Sequence, residues 1–309
     1  MRRGAIAVFC GTTVRLSSTM STRESRPTTL MSTRASRPTT LLDFDANFLH
    51  KDLRLDFLRH FETARAHNVA QFCVPGSTLA DSSEALSLSK SHPSVIFATC
   101  GVHPYQTENI PLTPRTLAEL DGLVSDEACA AVGECGLDFS EGFPPSAIQI
   151  PWFKAQIQLS VKHSLPLYLH IRGAHEEFLS IIGSEVGESG PPICVHCFTG
   201  TTKELEIYAS RGYYVSLSGH VVRHKETIDI AEYLKIIPPD RLILETDAPY
   251  MGFKGCRSTE LIKKTQNYPN VPAALPQIAS HICESTTMSV SDLAAMTTEN
   301  ALRFLSAKK

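Results

Sequence analysis

Residues 165–170 read Leu165-Pro-Leu-Tyr-Leu-His170, a short apolar run that ends in an imidazole. Three further runs end in a side chain that can bind a metal: Ala130-Ala-Val-Gly-Glu134, Ile193-Cys-Val-His196 and Leu242-Ile-Leu-Glu-Thr-Asp247. Each run has the length and composition of a β-strand, so each of these side chains follows a predicted strand end. In a barrel of parallel strands the carboxyl ends converge on one mouth, where active sites are built. Two imidazoles and two carboxylates there suit a divalent-metal hydrolase.

The rest of the chain alternates in the same way. Strand-like runs are separated by amphipathic, helix-like stretches, which predicts a parallel sheet. We therefore predict an α/β fold, a (β/α)8 TIM barrel, with a doubly wound open sheet as the alternative. Closure is favoured because only a closed barrel brings the ends of strands 4, 5, 6 and 8 to one point. The strand-like runs cover 42–46, 69–74, 95–101, 129–134, 166–170, 192–197, 212–217 and 241–246.

The composition is that of a soluble globular protein. Of the 309 residues, 42% are hydrophobic and 20% are charged. No apolar stretch approaches the ~20 residues of a membrane span, so we expect no membrane partner. The nine cysteines form no spacing typical of a disulfide scaffold, and several lie inside apolar runs. Reduced thiols in the core are therefore expected.

The N-terminal residues 1–42 differ from the remainder of the chain. They contain seven arginines, no lysine and a single acid, Glu24, and the segment 21–30 is nearly repeated as 32–41. This segment therefore carries a charge of +6, and the remaining chain carries −9, since the whole has −3. A charge of −9 on the chain after residue 42 argues against broad, non-specific binding of duplex DNA by charge alone.

We predict two parts, a disordered basic extension at 1–42 and a metal-dependent hydrolase barrel at 43–309. The Arg- and Ser-rich, acid-poor extension is typical of an organelle transit peptide, which predicts import into mitochondria. The alternatives are a basic tail, or a later start at Met20 or Met31. Under either alternative we expect a cytoplasmic or nuclear protein.

Each candidate ligand also has an ordinary structural interpretation. A histidine that ends an apolar strand is often only hydrogen-bonded, and Asp247, before Ala-Pro, is also compatible with a helix cap or a turn. Four such residues at equivalent positions of different strands favour one metal centre. Asp45 after strand 1 and His103 after strand 3 join the same mouth, and Arg172 offers a guanidinium suited to phosphate. His175 is either a substrate contact or the start of the next helix.

Seven segments occur in an order and spacing that resemble the motifs of one family, the TatD family of metal-dependent deoxyribonucleases. The resemblance covers residues 42–306. It implies an amidohydrolase-like (β/α)8 barrel and Mg²⁺-dependent hydrolysis of DNA, commonly as a 3′-to-5′ exonuclease, with RNA as a further potential substrate. The segments are Asp43-Phe-Asp-Ala-Asn47, Gly101-Val-His-Pro104, Gly133-Glu-Cys-Gly-Leu-Asp138, Leu169-His-Ile-Arg-Gly-Ala-His175, Val195-His-Cys-Phe-Thr-Gly200, Glu245-Thr-Asp-Ala-Pro-Tyr250 and Thr297-Thr-Glu-Asn300.

The resemblance also implies roles for individual residues. Metal binding is expected at the four strand-end residues, and substrate contacts are expected near His103, Arg172 and His175. Glu134 would bridge two metals, and Asp247 would position or deprotonate the attacking water. The strand-end residues in question are Glu134, His170, His196 and Asp247.

The chain departs from the family pattern after strand 1. Many members have His-x-His there, whereas this chain has Asp45 and Asn47, and one branch of the family also lacks the histidines. Oxygen ligands favour Mg²⁺ or Mn²⁺ over Zn²⁺, so we expect two Mg²⁺ ions with Asp45 as a further ligand and Asn47 near the substrate. Two other functions stay open. One is an amidohydrolase-type enzyme that acts on an ester or amide, and the other is a weakened, nucleic-acid-binding relative.

Overall fold

The computed structural model describes residues 40–186, 190–257 and 269–307. Most of the predicted basic extension, residues 1–39, lies outside the described residues. Eight strands form one sheet in chain order, and each pairs in parallel with the next. The strands are β1 (Leu41–Asp43), β2 (Val69–Val74), β3 (Ile96–Cys100), β4 (Cys129–Asp138), β5 (Leu167–Arg172), β6 (Ile193–Val195), β7 (Tyr214–Leu217) and β8 (Leu242–Leu244).

Helices follow the strands and cover the outside of the sheet. Several begin after a Ser, Thr or Asp whose side chain accepts a hydrogen bond from the first turn. Thr201, for example, caps the helix Thr202–Ser210 in a capping box with Glu204. The helices are α1 (Lys51–Arg54), α2 (Phe57–Ala66), α3 (Leu79–Ser91), α4 (Pro114–Val124), α5 (Ser146–His163), α6 (His175–Glu185), α7 (Thr202–Ser210), α8 (Gly219–Arg223), α9 (Ile230–Ile236), α10 (Leu275–Cys283) and α11 (Val290–Leu305).

The sheet closes between the first and last strands, which confirms the predicted (β/α)8 barrel. The Phe44 amide donates to the Leu244 carbonyl at 3.2 Å, and beyond it the Asp247 amide donates to the Asp45 carbonyl at 3.0 Å. The segments that follow β1 and β8 therefore run side by side, as they must in a closed barrel. β1 begins at Leu41, two residues before the predicted barrel boundary at 43.

Two apolar clusters hold the barrel together. The larger lies between the strands and the outer helices, and the smaller fills the inside of the barrel. Tyr168, Cys194 and Ile243 belong to the inner cluster, and Phe304 of α11 packs against it. Because strand residues alternate in direction, the residues two positions further along these strands also point inward, at the mouth. The inner cluster is thus the floor of the candidate site.

Two candidate ligands lie within strands and not directly after them. The sequence predicts a strand end at Glu134, but β4 continues to Asp138. Likewise β5 continues past His170 to Arg172. His196 and Asp247 do follow the ends of β6 and β8. The strands β4 and β5 therefore extend further past the candidate ligands than the sequence predicts.

The composition predicts no membrane span and reduced cysteines. None of the described helices is both long enough and apolar enough to cross a membrane. The eight cysteines in the described ranges are all free thiols, and most are buried. Reduced core thiols are thereby confirmed for this part of the chain.

Candidate metal centre

Glu134 lies at a bulge in β4 that turns its side chain into the mouth. The pairing of β4 with β5 shifts between Val132 and Cys135. Gly133 has a φ of +146°, and a Cβ at this position would lie 2.1 Å from the Tyr168 carbonyl oxygen, so only glycine fits. Bulges re-aim side chains next to functional sites, and the glycine before Glu134 permits one here.

The Glu134 carboxylate lies among three imidazoles. Its Oε1 atom is 2.7 Å from His196 Nε2, 3.0 Å from His103 Nε2 and 3.3 Å from His170 Nδ1. The structure thus brings together three of the residues that the sequence assigns to metal binding, with His103 beside them. A carboxylate and imidazole nitrogens at this spacing form a donor set for a divalent cation.

The carboxylates after β1 and β8 lie side by side. The Asn47 amide nitrogen donates to Asp45 Oδ1 at 2.6 Å and lies 3.5 Å from Asp247 Oδ1. Both carboxylates are buried. The Tyr168 hydroxyl donates to the second oxygen of Asp45 from the barrel floor. The Asn47 amide therefore lies between the carboxylates of Asp45 and Asp247.

A further acidic residue, Glu245, lies on the Nδ1 side of His196. The His196 Nδ1 atom is 3.3 Å from Asp45 Oδ2 and 3.4 Å from Glu245 Oε1. The other oxygen of Glu245 accepts a hydrogen bond from Ser216 Oγ at 2.7 Å. His196 Nδ1 and Glu245 Oε1 are buried and have no hydrogen-bond partner within the described part of the chain. Buried polar atoms nearly always have partners, so this donor set fits a divalent cation at the centre.

Burial and crowding shift the pKa values of these carboxyl groups. Burial raises the pKa of Asp45 well above its usual range and the pKa of Asp247 to about 7. Burial acts in the same direction on Glu134, but the charges of His103 and His196 outweigh it and hold the pKa well below its usual range. No lysine or arginine in the described ranges pairs with any of these groups. A divalent cation would offset this concentration of negative charge.

Hydrogen bonds on the outer side of two imidazoles fix their tautomers. His170 Nε2 lies 2.8 Å from Asp138 Oδ2, so Nε2 carries the proton and the Nδ1 lone pair faces the Glu134 side. His103 presents its protonated nitrogen to Glu134 instead. Its Nδ1 accepts a hydrogen bond from the Tyr105 amide at 3.1 Å, so its Nε2 carries the proton. His170 is therefore arranged as a metal ligand, and His103 as a hydrogen-bond donor.

Replacing Asp138 should weaken metal binding without touching the donor set. Loss of an outer partner of a ligating histidine typically costs about 10- to 100-fold in metal affinity. We expect Asp138→Ala to raise the Mg²⁺ concentration for half-activity by that factor. Asp138→Asn, which keeps an acceptor for His170 Nε2, should lie close to the parent protein. Equal Mg²⁺ requirements in all three proteins would show that Asp138 does not orient His170.

The donor set opens into a mouth cavity of about 120 Å³. Arg172 lines this cavity together with His103, His196 and Asp247. The Arg172 side chain is exposed and makes no ion pair with a described residue. Arg172 and His103 therefore face the same cavity as the candidate ligands, and their contact with a phosphate stays a prediction.

His175 lies outside the mouth cavity. It begins α6, and its Nδ1 atom is 3.0 Å from the Tyr208 hydroxyl. Both residues line a second cavity of about 170 Å³, which shares Arg172 and Thr199 with the mouth cavity. The proposed substrate contact of His175 therefore concerns this adjoining cavity and not the donor set.

Three polar residues of the site were not predicted from the sequence: Tyr168, Glu245 and Asp138. Strand alternation carries a signal for the first two, because Tyr168 is two residues before His170 and Glu245 is two residues before Asp247. Asp138 has no such signal, because it lies beyond the strand end that the sequence predicts at Glu134.

The chain is similar to known proteins over nearly the whole barrel. The TatD-related DNase family matches residues 42–306. A protein from a Rahnella species, called a 3′-5′ ssDNA/RNA exonuclease TatD, is 35% identical over 82% of this chain and 94% of its own. A protein of the same description from Erwinia tasmaniensis is 33% identical over 84% of this chain and 98% of its own.

Solved structures show the same fold at lower identity. A TatD homologue from Escherichia coli is 21% identical, with a TM-score of 0.75 over 87% of this chain and 98% of its own. A TatD-family hydrolase from Entamoeba histolytica is also 21% identical, with a TM-score of 0.73 over 87% of this chain and 99% of its own. From the match to nearly the whole barrel and from these relatives, we conclude that this chain belongs to the TatD-related DNase family.

Proposed function

We propose that the protein is a divalent-metal-dependent exonuclease that removes nucleotides from the 3′ end of single-stranded DNA, with RNA as a second substrate. The relatives named above are described as 3′-5′ exonucleases of single-stranded DNA and RNA. The observation that carries the proposal is the Glu134 carboxylate among three imidazoles, with Asp247 and the free Arg172 guanidinium at the same cavity.

Donor atoms lie close enough for an ion in two groups of the described residues, His103 with Glu134 and His170, and Asp45 with His196 and Glu245. Two cations would be held here, one by Glu134 with His170 and His196 and the other by Glu134 with Asp45 and Asp247. Because the second position has carboxylate oxygens and no histidine pair, we propose Mg²⁺ or Mn²⁺ as the resident ions. When bound, the cations supply Lewis acidity for the phosphodiester.

The residues of the chain itself have distinct parts in the proposed reaction. Asp247 accepts the proton of the attacking water, a task for which a pKa near neutrality is suited. Arg172 and the Nε2–H group of His103 donate to the phosphoryl oxygens as negative charge develops there. Asn47 keeps Asp247 in place through its amide.

The test uses single-stranded oligonucleotides labelled at either the 5′ or the 3′ end, incubated with Mg²⁺ and then with chelator. We expect the 3′ label to leave as a mononucleotide, and the 5′-labelled strand to shorten stepwise, both only with the metal. Release of the 5′ label first would overturn the direction. Binding of the strand without cleavage would indicate a weakened nucleic-acid-binding protein. Inertness towards DNA and RNA, with turnover of small esters or lactones, would indicate an amidohydrolase-type enzyme.

The N-terminal segment makes a separate prediction about the compartment. Residues 1–42 fused to a fluorescent reporter should direct it to mitochondria, because the segment is rich in arginine and serine and has one acid. The control replaces the seven arginines by glutamine, which should leave the reporter diffuse. A diffuse cytosolic or nuclear signal from the unchanged segment would favour a basic tail or a later start.

A further inference from the structure

The mouth cavity continues into a longer groove between two loops. This basic groove has a volume of about 890 Å³ and runs between the end of α8 and the segment after β8. Tyr250 and Met251 line both the groove and the mouth cavity. The volume falls within the ~300–1,000 Å³ typical of ligand sites. A bound molecule that reaches the candidate metal-binding residues can therefore also extend along the groove.

The basic groove carries positive charge that no described residue neutralises. Arg223, Lys225 and Lys254 line it and are exposed, and none of them forms an ion pair with a described residue. None of the described residues that line the groove is acidic. By contrast, Lys90 and Lys162 on the outer helices each pair with an aspartate. Unpaired cations gathered in one groove of an acidic protein favour an anionic ligand there.

Tyr250 supplies an aromatic surface at the junction of the two cavities. It is 49% exposed, although it is a large side chain. Its ring meets His50 edge to face, with the ring centroids 5.3 Å apart. Its hydroxyl makes no hydrogen bond with a described residue. An exposed ring beside a row of cations is the combination with which proteins hold single strands, through base stacking and phosphate contacts.

We propose that the basic groove holds the nucleotides on the 5′ side of the scissile bond. Tyr250 stacks the base next to the cleaved end, and Arg223, Lys225 and Lys254 contact the phosphates that follow. The inference rests on the proposed nuclease function and deepens it by assigning the path of the strand. The ligand is a single strand because the stacking position requires an unpaired base.

The first test removes two cations of the groove and measures binding separately from cleavage. Fluorescence anisotropy of a labelled oligothymidine, with Ca²⁺ in place of Mg²⁺, compares the parent with the Arg223→Ala/Lys254→Ala variant. The matched control is Arg211→Ala/Lys235→Ala, which removes the same two residue types from exposed positions at the ends of α7 and α9, away from the mouth.

Counter-ion release sets the expected size of the effect. Each lost phosphate contact on a single strand should lower the slope of log K against log salt by about 0.7, so two should lower it by about 1.4. The same relation predicts roughly 10- to 100-fold weaker binding at low salt. The control variant should bind as the parent does. Equal binding by all three proteins, or equal losses in both variants, would overturn the groove assignment.

The second test separates stacking from charge. Base stacking on an aromatic residue is worth about 5- to 150-fold in affinity, so Tyr250→Leu should bind that much more weakly. Tyr250→Phe keeps the ring and should bind within about twofold of the parent. A strand that lacks the bases should bind the parent and Tyr250→Leu equally. If Tyr250→Leu binds the ordinary strand as the parent does, Tyr250 does not stack a base.

The two proposals fail in different ways. If the groove variants lose strand binding, but the parent protein with Mg²⁺ releases no nucleotides from the strand, the nuclease function is wrong and the groove assignment stands. If nucleotides are released and binding is the same in every variant, the nuclease function stands and the groove assignment is wrong. A parent protein that binds no strand contradicts both.

Discussion

Glu134→Gln should abolish nuclease activity while leaving the barrel folded. The substitution keeps the shape of the side chain but removes the charge that three imidazoles surround in the structure. It also removes the carboxylate that we propose both cations share. Bound metal contributes several kcal/mol to stabilising a phosphoryl transition state, so we expect kcat/KM to fall by about 10³-fold or more. The assay is release of nucleotides from labelled single-stranded DNA at saturating Mg²⁺.

The matched control for this variant is Glu141→Gln. Glu141 is exposed in the loop after β4, so the same chemical change there should leave kcat/KM within about twofold of the parent. Circular dichroism should show unchanged secondary structure in both variants. Near-normal turnover by Glu134→Gln at saturating Mg²⁺ would rule out two cations that share this carboxylate.

Asp247→Asn should cost at least about 10²–10⁴-fold in kcat, the usual contribution of a general base. Asp247 has a φ of +55°, a left-handed conformation that asparagine also tolerates, so the backbone should be preserved. The variant keeps an oxygen ligand but loses the negative charge and the basicity. Strand binding should change little, because Arg172, His103 and the groove cations remain. Single-turnover kinetics over a range of pH and Mg²⁺ concentration measures the effect.

Asp45→Asn is the comparison that separates two roles. Asp45 is buried beside Asp247 but is bonded to Asn47 and to the Tyr168 hydroxyl. It is therefore better placed to hold a cation than to take a proton. We expect a smaller loss of kcat and a higher Mg²⁺ concentration for half-activity. If Asp247→Asn stays within about threefold of the parent under every condition, another group must activate the water.

The sequence predicts most of the barrel because the pattern that defines it is local. Apolar runs of strand length alternate with amphipathic helices, and each of the eight predicted strands is present in the structure. Strand ends are less well predicted. β4 continues past Glu134 because Gly133 permits a bulge within the strand. The bulge redirects the Glu134 side chain, and the pairing of β4 with β5 resumes at Cys135.

The candidate site is predictable only in its innermost residues. Those side chains follow apolar runs of strand length. Because the carboxyl ends of parallel strands converge in a barrel, the sequence places these side chains at one mouth. Their neighbours are harder to predict, because Asp138 bonds the far nitrogen of His170, and Glu245 lies 3.4 Å from the far nitrogen of His196. Such contacts depend on the rotation of each ring, which a sequence pattern does not encode.

The separation of His175 from the donor set has a similar origin. The sequence places His175 five residues after His170, close enough for either cavity. In the structure Arg172 ends β5, and His175 begins α6 and turns to Tyr208 of α7. The partner comes from a different βα unit, and the packing of α6 against α7 decides it.

The most direct test of the central claim is the binding of a metal to the buried donor set. A titration with Mn²⁺, followed by the electron paramagnetic resonance signal of the free ion, measures this without any substrate. We expect saturable binding by the parent and by Glu141→Gln, with at least about tenfold weaker binding by Glu134→Gln. Absence of saturable binding in the parent, or the same isotherm for all three proteins, would contradict a metal centre at Glu134.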